Sequence, residues 1–155
     1  MKIQSALLSR IIKLLMDHFL VALGIGILAS LVFSDWSLIF VALLTGWMVD
    51  VDHIYDFAFY LNKYGISKVN PEFLIRGEYF KLNNRVFVLL HSWEFLFIWL
   101  VVFIALHKYS LAITGSIAWA FHILKDQMAY KVTPMGYSLI YRASKGFSRN
   151  GFCPS

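Results

Sequence analysis

Apolar residues dominate this chain in four long runs that short polar segments separate. The runs lie at about residues 13–33, 36–60, 85–107 and 110–130. Each run is long enough for a helix that crosses a bilayer, because a spanning helix needs about 20 mostly apolar residues. The pattern therefore predicts an all-α fold, an integral membrane bundle of four transmembrane helices.

The remaining segments predict an amphipathic N-terminal lead, one substantial loop and a tail. The lead, MKIQSALLSRIIKLL, is suited to lie along the membrane surface. The loop at 61–84 contains two glycines and a proline, which are typical of turns. The tail at 131–155 is basic and too short to pack alone. We expect residues 1–155 to form a single membrane domain.

Composition agrees with a membrane protein and argues against a soluble domain or a disulfide-linked one. Of the 155 residues, 59% are hydrophobic and 15% are charged, which is less charge than a soluble domain of this length carries. A chain of this length forms one domain of ordinary size. The single cysteine, Cys153, excludes an internal disulfide.

The formal net charge of +5 is distributed unevenly along the chain. Most lysines and arginines precede the first run, fill the long loop or follow the fourth run, whereas the two short turns hold only Lys108. By the positive-inside rule, this predicts a multi-pass protein of the inner (plasma) membrane with both termini and the long loop in the cytoplasm. Topology thus explains the basic residues, and we expect no nucleic-acid partner. Membrane lipid is the expected environment and a candidate substrate, and oligomerisation is left open.

Ionisable residues inside the apolar runs are the most informative feature of the sequence. An ionisable side chain at membrane depth costs about 2.5–3.5 kcal/mol on insertion scales, so it needs a partner or a function. Three histidines, His53, His91 and His122, are expected about 9–12 Å below the cytoplasmic boundary at 1.5 Å per residue. The full set comprises His18, Asp50, Asp52, His53, His91, Glu94, His122 and Asp126. Similar depth on one side of the membrane predicts a shared site.

Helical spacing places several of these residues in pairs on shared helix faces. The pairs are His122 with Asp126, His91 with Glu94, and Asp50 with His53. Helix bundles build metal sites from imidazoles and carboxylates on facing helices. A mixed nitrogen and oxygen donor set suits zinc first, with manganese or iron as alternatives. We therefore expect one or two divalent ions, with zinc favoured.

The order of the polar motifs adds a resemblance. The chain carries His18, then DVDH at 50–53, HS at 91–92, HILKD at 122–126 and TPMG at 133–136. In this order the chain resembles a family of small helical membrane proteins described as membrane-bound metal-dependent hydrolases. The resemblance covers about residues 15–140 and implies a metal site and a hydrolytic reaction.

Two departures from the family pattern bear on catalysis. The family usually has H-R-G-x-T-H-S, whereas this chain has VFVLLHS, with Val86 where the first histidine stands. This removes a ligand or phosphate-binding element, which Glu94, one turn after His91, is placed to replace. The TPMG segment also lies several residues later after Asp126 than is usual.

Together these observations predict a metal-dependent hydrolase that acts on a lipid or lipid-linked ester or phosphoester at the cytoplasmic leaflet. The predicted catalytic residues are Asp50 and Glu94, either of which lies one turn from a ligand and can serve as general base. The predicted metal ligands are His18, Asp52, His53, His91, His122 and Asp126. Two alternatives are a metal-binding transporter and a non-catalytic membrane subunit of a larger complex. The apolar outer halves of the runs offer no polar path, which argues against transport.

Overall fold

Helices form the whole regular structure of the described part of the chain. The computed structural model describes residues 2–67, 69, 73, 78–130 and 132–153, with the side chains of 2–15 and 78 outside the description. Within these residues there is no β-strand, so the all-α prediction is confirmed. The helices are α1 (Lys2–Phe33), α2 (Leu38–Gly46), a 3-10 helix (Met48–Asp52), α3 (His53–Tyr64), α4 (Glu78–Asn83), α5 (Trp93–Ala105), α6 (Tyr109–Tyr130), α7 (Leu139–Ser144) and α8 (Arg149–Phe152).

The first and fourth predicted helices coincide with observed ones. The run at 110–130 corresponds to α6, which begins one residue earlier. The run at 13–33 forms the C-terminal part of α1, and the predicted amphipathic lead continues the same helix back to Lys2. The lead is therefore an extension of the first helix and not a separate surface helix.

The second predicted helix, 36–60, is interrupted. The α2 helix ends at Gly46, the 3-10 helix follows, and α3 resumes at His53 with its axis bent by 45°. The Thr45 hydroxyl donates to the carbonyl of Val41 at 2.8 Å, a bond that bends helices. The break takes Asp50 out of regular α-helical geometry.

The third predicted helix, 85–107, is wrong in its first two turns. Residues 85–92 are non-helical, and α5 begins only at Trp93. Ser92 is the N-cap, and its hydroxyl accepts from the amide of Phe95 at 3.4 Å. Because His91 precedes the helix, it does not share a helix face with Glu94 as the spacing predicted.

Two buried ionic side chains hold the non-helical segment 85–92 in place. The Asp56 carboxylate accepts from the amides of Phe87 and Val88, each at 2.8 Å. The Arg142 guanidinium donates to the carbonyls of Phe87, Val88 and His91, the last two at 3.0 Å. These bonds hold Val88 at a φ of 28°, which β-branched residues rarely adopt.

The described part of the predicted tail, 132–153, folds back onto the same segment. Within it, Tyr137 and Arg142 are buried. The amide of Val86 donates to the carbonyl of Phe147 at 2.9 Å, and the amide of Arg149 donates to the carbonyl of Asn84 at 3.1 Å. The tail therefore contributes to the protein interior.

The long helices meet closely near the functional residues. The α2 helix packs against α1 and α6, and α6 also packs against α5. A Cβ atom on Gly46 would lie 3.0 Å from the Cβ of Ala22 and 3.1 Å from that of Ala118. Small side chains on α1, α2 and α6 therefore permit the close approach that brings Gly46 to α6.

One described helix is long and apolar enough to cross a membrane by length and composition. It is the Met16–Phe33 part of α1, with a mean hydropathy of 2.0. The bent pair Leu38–Gly46 and Met48–Tyr64 passes the same test when taken as one span. The apolar helix α5 has 13 residues, about 20 Å at 1.5 Å per residue, which is shorter than the bilayer core.

The buried guanidinium gives a prediction about stability. We expect Arg142→Ala to lower the free energy of unfolding by about 3 kcal/mol or more, because buried carbonyls lose their charged donor. Thermal unfolding of the purified protein in detergent measures the effect. Lys145→Ala, an exposed cation just beyond the same helix, is the control and should change stability little. Equal loss in both variants would contradict the role assigned to Arg142.

Candidate metal centre

Four side chains from separate parts of the chain bring metal-ligand atoms together. They are Asp50 in the 3-10 helix, His91 before α5, and His122 and Asp126 on α6. One ligand atom from each lies within 4.8 Å of the others. The two histidines and Asp126 are buried, whereas Asp50 is half-buried.

The spacing of these atoms matches four ligands around one small ion. His91 Nε2 lies 3.3 Å from Asp50 Oδ1 and 3.4 Å from Asp126 Oδ2. His122 Nε2 lies 3.5 Å and 3.4 Å from the same two atoms, and the two Nε2 atoms are 2.9 Å apart. Ligands bound tetrahedrally at zinc distances of about 2.0–2.1 Å lie about 3.3–3.4 Å from each other. These five distances are close to those of ligands around one tetrahedral ion.

The second ring nitrogen of each histidine determines which atom faces the centre. His91 Nδ1 lies 3.1 Å from both oxygens of Asp52, and His122 Nδ1 lies 3.1 Å from the carbonyl oxygen of Gly46. Both partners are acceptors, so each Nδ1 carries a hydrogen and each Nε2 faces the cluster, where the neutral ring offers its lone pair to a metal. Metal-binding histidines usually donate the hydrogen of their second ring nitrogen to such an acceptor.

The cluster needs positive charge, either from protons on its imidazoles or from a bound cation. Two imidazole Nε2 atoms and two carboxylate oxygens face one another, and three of the four side chains are 6% exposed or less. Desolvated carboxylates next to lone pairs are costly unless a positive charge lies between them. These buried His and Asp residues can therefore hold a metal ion.

Asp52, one of the predicted ligands, lies behind His91 on the side away from the cluster. Its Oδ2 accepts from the amides of Leu90 at 2.7 Å and His91 at 3.2 Å, in addition to the ring bond. It thus fixes both the backbone and the ring of His91. Asp52, His53 and His91 form a second group whose ligand atoms lie within 4.8 Å. The two groups share His91.

His18 and His53, also predicted as ligands, lie beside the cluster. His18 Nε2 is 3.1 Å from Asp126 Oδ1, the carboxylate oxygen other than the one that faces His91 and His122. His53 Nε2 is 3.6 Å from Asp50 Oδ1. Both rings therefore contact carboxylates of the cluster, and neither is among the four side chains that converge.

Glu94, predicted as a general base, is placed elsewhere. Its Oε1 accepts from the hydroxyl of Ser138 at 2.6 Å and the amide of Ile140 at 3.2 Å, and its Oε2 accepts from the amide of Leu139 at 2.8 Å. These are the first groups of α7, so Glu94 anchors the tail. It is not among the converging side chains, whereas Asp50, the other predicted base, is.

Several residues that support the site carried little signal in the sequence. Asp56 lies four positions after Asp52, which is the spacing of a shared helix face. This spacing is the signal that the sequence carries for Asp56. Arg142 and Tyr79 lie in segments that the sequence marks only as basic tail and loop. The Tyr137 ring stacks on that of His91 at 5.9 Å and 28°. The contacts of Arg142, Tyr79 and Tyr137 depend on how the tail and the loop fold back onto the helices.

The cluster is open at one edge. The side chains of Asp50 and His53 are 32% and 35% exposed, compared with 1% for His91 and 0% for His122. Among the described residues of this region, Asp50 and His53 are the accessible ones, and we call their side of the cluster the open edge.

Comparisons with known proteins identify no relative of this chain. No protein-family model, no curated protein and no solved structure matches it. The hydrolase family indicated by the motif order therefore stays a resemblance, and the function is argued from the site.

The carboxylate behind His91 gives a prediction about metal affinity. We expect Asp52→Ala to weaken zinc binding about 10- to 100-fold, the usual effect of removing a carboxylate that orients a metal-binding histidine. Asp52→Asn should be milder, because its amide oxygen can still accept from His91 Nδ1. Competition titration with a chromophoric chelator measures the affinity.

Asp35→Ala is the matched control for this prediction. Its carboxylate is exposed and accepts from the amide and hydroxyl of Ser37, which holds its pKa below the usual range. Zinc affinity should not change in this variant. Equal affinities for Asp52→Ala and Asp35→Ala would disprove the orienting role.

Proposed function

We propose that this chain is a membrane-embedded, metal-dependent hydrolase that cleaves a lipid or lipid-linked ester or phosphoester at the cytoplasmic leaflet. The observation that carries the proposal is the convergence of Asp50, His91, His122 and Asp126 at tetrahedral spacing. The exposure of Asp50 and His53 at the open edge supports a catalytic role over a purely structural one.

The distribution of apolar residues supports a membrane-embedded bundle. No residue of α5 is buried, although the helix is almost entirely apolar. Strongly exposed apolar side chains also lie on other helices, among them Leu28, Leu31, Val32, Phe40, Phe121 and Met128. The buried set, by contrast, includes His18, Thr45, Thr114, His122 and Asp126. Apolar surfaces of this extent are rare on soluble monomers and fit contact with lipid.

The position of the cluster along α6 supports a site near the cytoplasmic boundary. His122 lies about 20 Å from Tyr109, at the end next to the short turn, and about 12 Å from Tyr130, where the basic tail begins. By the positive-inside rule the basic end faces the cytoplasm, and both termini lie there in the proposed topology. Lipid substrates at the inner leaflet are then close to the open edge.

The ligand chemistry supports a single zinc ion. Two imidazoles and two carboxylates are a common donor set for zinc, and no cysteine is near the cluster. The second group of potential ligands shares His91, whose Nδ1 is bonded to Asp52. The same ring therefore does not serve two ions, and we assign one.

The geometry suggests distinct roles within the cluster. Buried His91, His122 and Asp126 are placed as three protein ligands, the number found in catalytic zinc sites with an open position. A zinc ion held there would supply Lewis-acid polarisation of the ester group and acidify a water molecule. Asp50, the most exposed of the four, lies at the fourth position of the tetrahedral set; it would leave that position to the water and accept the proton of the water as general base.

Metal content tests the first part of the proposal. We expect the purified wild-type protein to bind one zinc per chain by elemental analysis, and His122→Ala to lose it. His107→Ala is the matched control, since His107 is exposed beyond the end of α5 and lies 3.2 Å from the Tyr109 hydroxyl. A wild-type protein without affinity for zinc would remove the basis for hydrolysis.

Turnover tests the second part of the proposal. Zinc-loaded protein is incubated with phospholipids, lipid phosphates and lipid esters, and the released product is quantified. Asp50→Asn should keep its zinc and lose about 100-fold or more of the turnover, the usual scale for a general base. Absence of turnover on every substrate, or full turnover by Asp50→Asn, would contradict the assignment.

A further inference from the structure

His53 differs from the two converging histidines in what faces its Nδ1 atom. The partner is the hydroxyl of Tyr79 at 3.2 Å, whereas His91 and His122 face a carboxylate and a carbonyl. Tyr79 is buried, and burial raises the pKa of its hydroxyl, which keeps its proton. Among the described residues, this hydroxyl makes its hydrogen bond to His53 Nδ1. Since a buried hydroxyl needs an acceptor for its hydrogen, Tyr79 donates and His53 Nδ1 accepts.

The tautomer of His53 is therefore opposite to that of the other two rings. With Nδ1 as acceptor, the hydrogen of the neutral ring is on Nε2. That atom faces Asp50 Oδ1 at 3.6 Å, at the open edge of the cluster. A protonated Nε2 has no lone pair for a metal, but it is a hydrogen-bond donor.

We propose that His53, oriented by Tyr79, is not a metal ligand but the donor that binds a phosphoryl or ester oxygen of the substrate at the open edge. This inference rests on the proposed hydrolytic function of the same site and names one of its substrate contacts. It also replaces the ligand role that the sequence predicted for His53.

The surroundings of His53 fit this role. Its side chain is 35% exposed, so a substrate can reach it. Edge-on contacts hold its ring 5.1 Å from the ring of His91 and 5.5 Å from that of Phe80. The four converging atoms are all acceptors or metal ligands, and an ester oxygen that gains negative charge needs a hydrogen-bond donor. His53 Nε2 supplies one beside Asp50.

Zinc content and histidine tautomers test the first half of the inference. Zinc is measured in the wild type, His53→Ala, Tyr79→Phe and His122→Ala, and we expect only the last variant to lose it. Nitrogen-15 NMR of the histidine-labelled, zinc-loaded wild type should show His53 protonated on Nε2, with His91 and His122 protonated on Nδ1.

The two proposals fail in different ways in this experiment. Absence of zinc from the wild type would overturn the proposed function and this inference with it. Zinc bound by the wild type but lost in His53→Ala, or His53 protonated on Nδ1 alone, would overturn this inference and leave the zinc site standing.

Binding of phosphate-bearing probes to the zinc-loaded protein tests the second half. Inorganic phosphate and a short-chain phosphatidic acid in micelles are the two probes, because either source offers the same oxygens. We expect His53→Ala to weaken binding about tenfold or more, as loss of a hydrogen bond to a charged group does. His53→Gln, whose amide can still donate, should recover part of the affinity.

Tyr79→Phe and Tyr55→Phe form a matched pair for the same measurement. Tyr79→Phe removes only the hydroxyl that fixes the His53 tautomer, and we expect a weaker affinity for the probes. Tyr55 is exposed on the same helix as His53, and Tyr55→Phe should have no effect on the affinity.

The relative affinity of the two probes identifies the source of the phosphate group. Tighter binding of the phosphatidic acid would identify a lipid headgroup, and tighter binding of inorganic phosphate would identify a soluble phosphate. Unchanged affinity in His53→Ala, or no binding of either probe by the wild type, would overturn the donor role.

Discussion

The site depends on one constraint, the burial of a non-helical segment just before α5. A helix satisfies its own backbone groups, whereas an extended buried segment must find other partners. Here Asp52 and Asp56 accept from its amides, and Arg142 donates to its carbonyls. The same bonds fix the position and ring orientation of His91. Asp52, predicted from the sequence as a metal ligand, is therefore one of the backbone partners that hold His91 in place.

The interrupted second helix supplies the other side of the site. Helix ends leave carbonyl groups without intrahelical partners, and the carbonyl of Gly46, where α2 ends, lies 3.1 Å from His122 Nδ1. The following 3-10 helix then turns Asp50 toward the centre and Asp52 toward His91. A straight α-helix over 36–60 would engage the Gly46 carbonyl in its own hydrogen-bond ladder.

The sequence predicted the parts of the site that lie in regular helix and failed where the chain leaves it. His122 and Asp126 are four residues apart on α6, and their shared face was correctly expected. The pairing of His91 with Glu94 assumed a helix where the run VFV, with its two β-branched residues, is non-helical, so helical spacing did not apply. The contacts of Arg142 and Tyr79 depend on tertiary folding of the tail and loop, for which one sequence carries no periodic signal. The close packing of Gly46 against Ala22 and Ala118, next to the break in the second helix, is likewise something that run length alone does not reveal.

The balance of buried charge shows which carboxylates of the fold are left for a cation. Among the described residues, Asp52 and Asp56 have their charge compensated by backbone amides and by the ring of His91. Asp50 and Asp126 instead face the Nε2 atoms of two imidazoles. The buried cation Arg142 donates to carbonyl groups and not to these two carboxylates. Their charge is therefore balanced within the centre, either by protons on the two imidazoles or by a bound cation. A metal ion held there would take the place of those protons, which is why the proposed function assigns it to these four side chains.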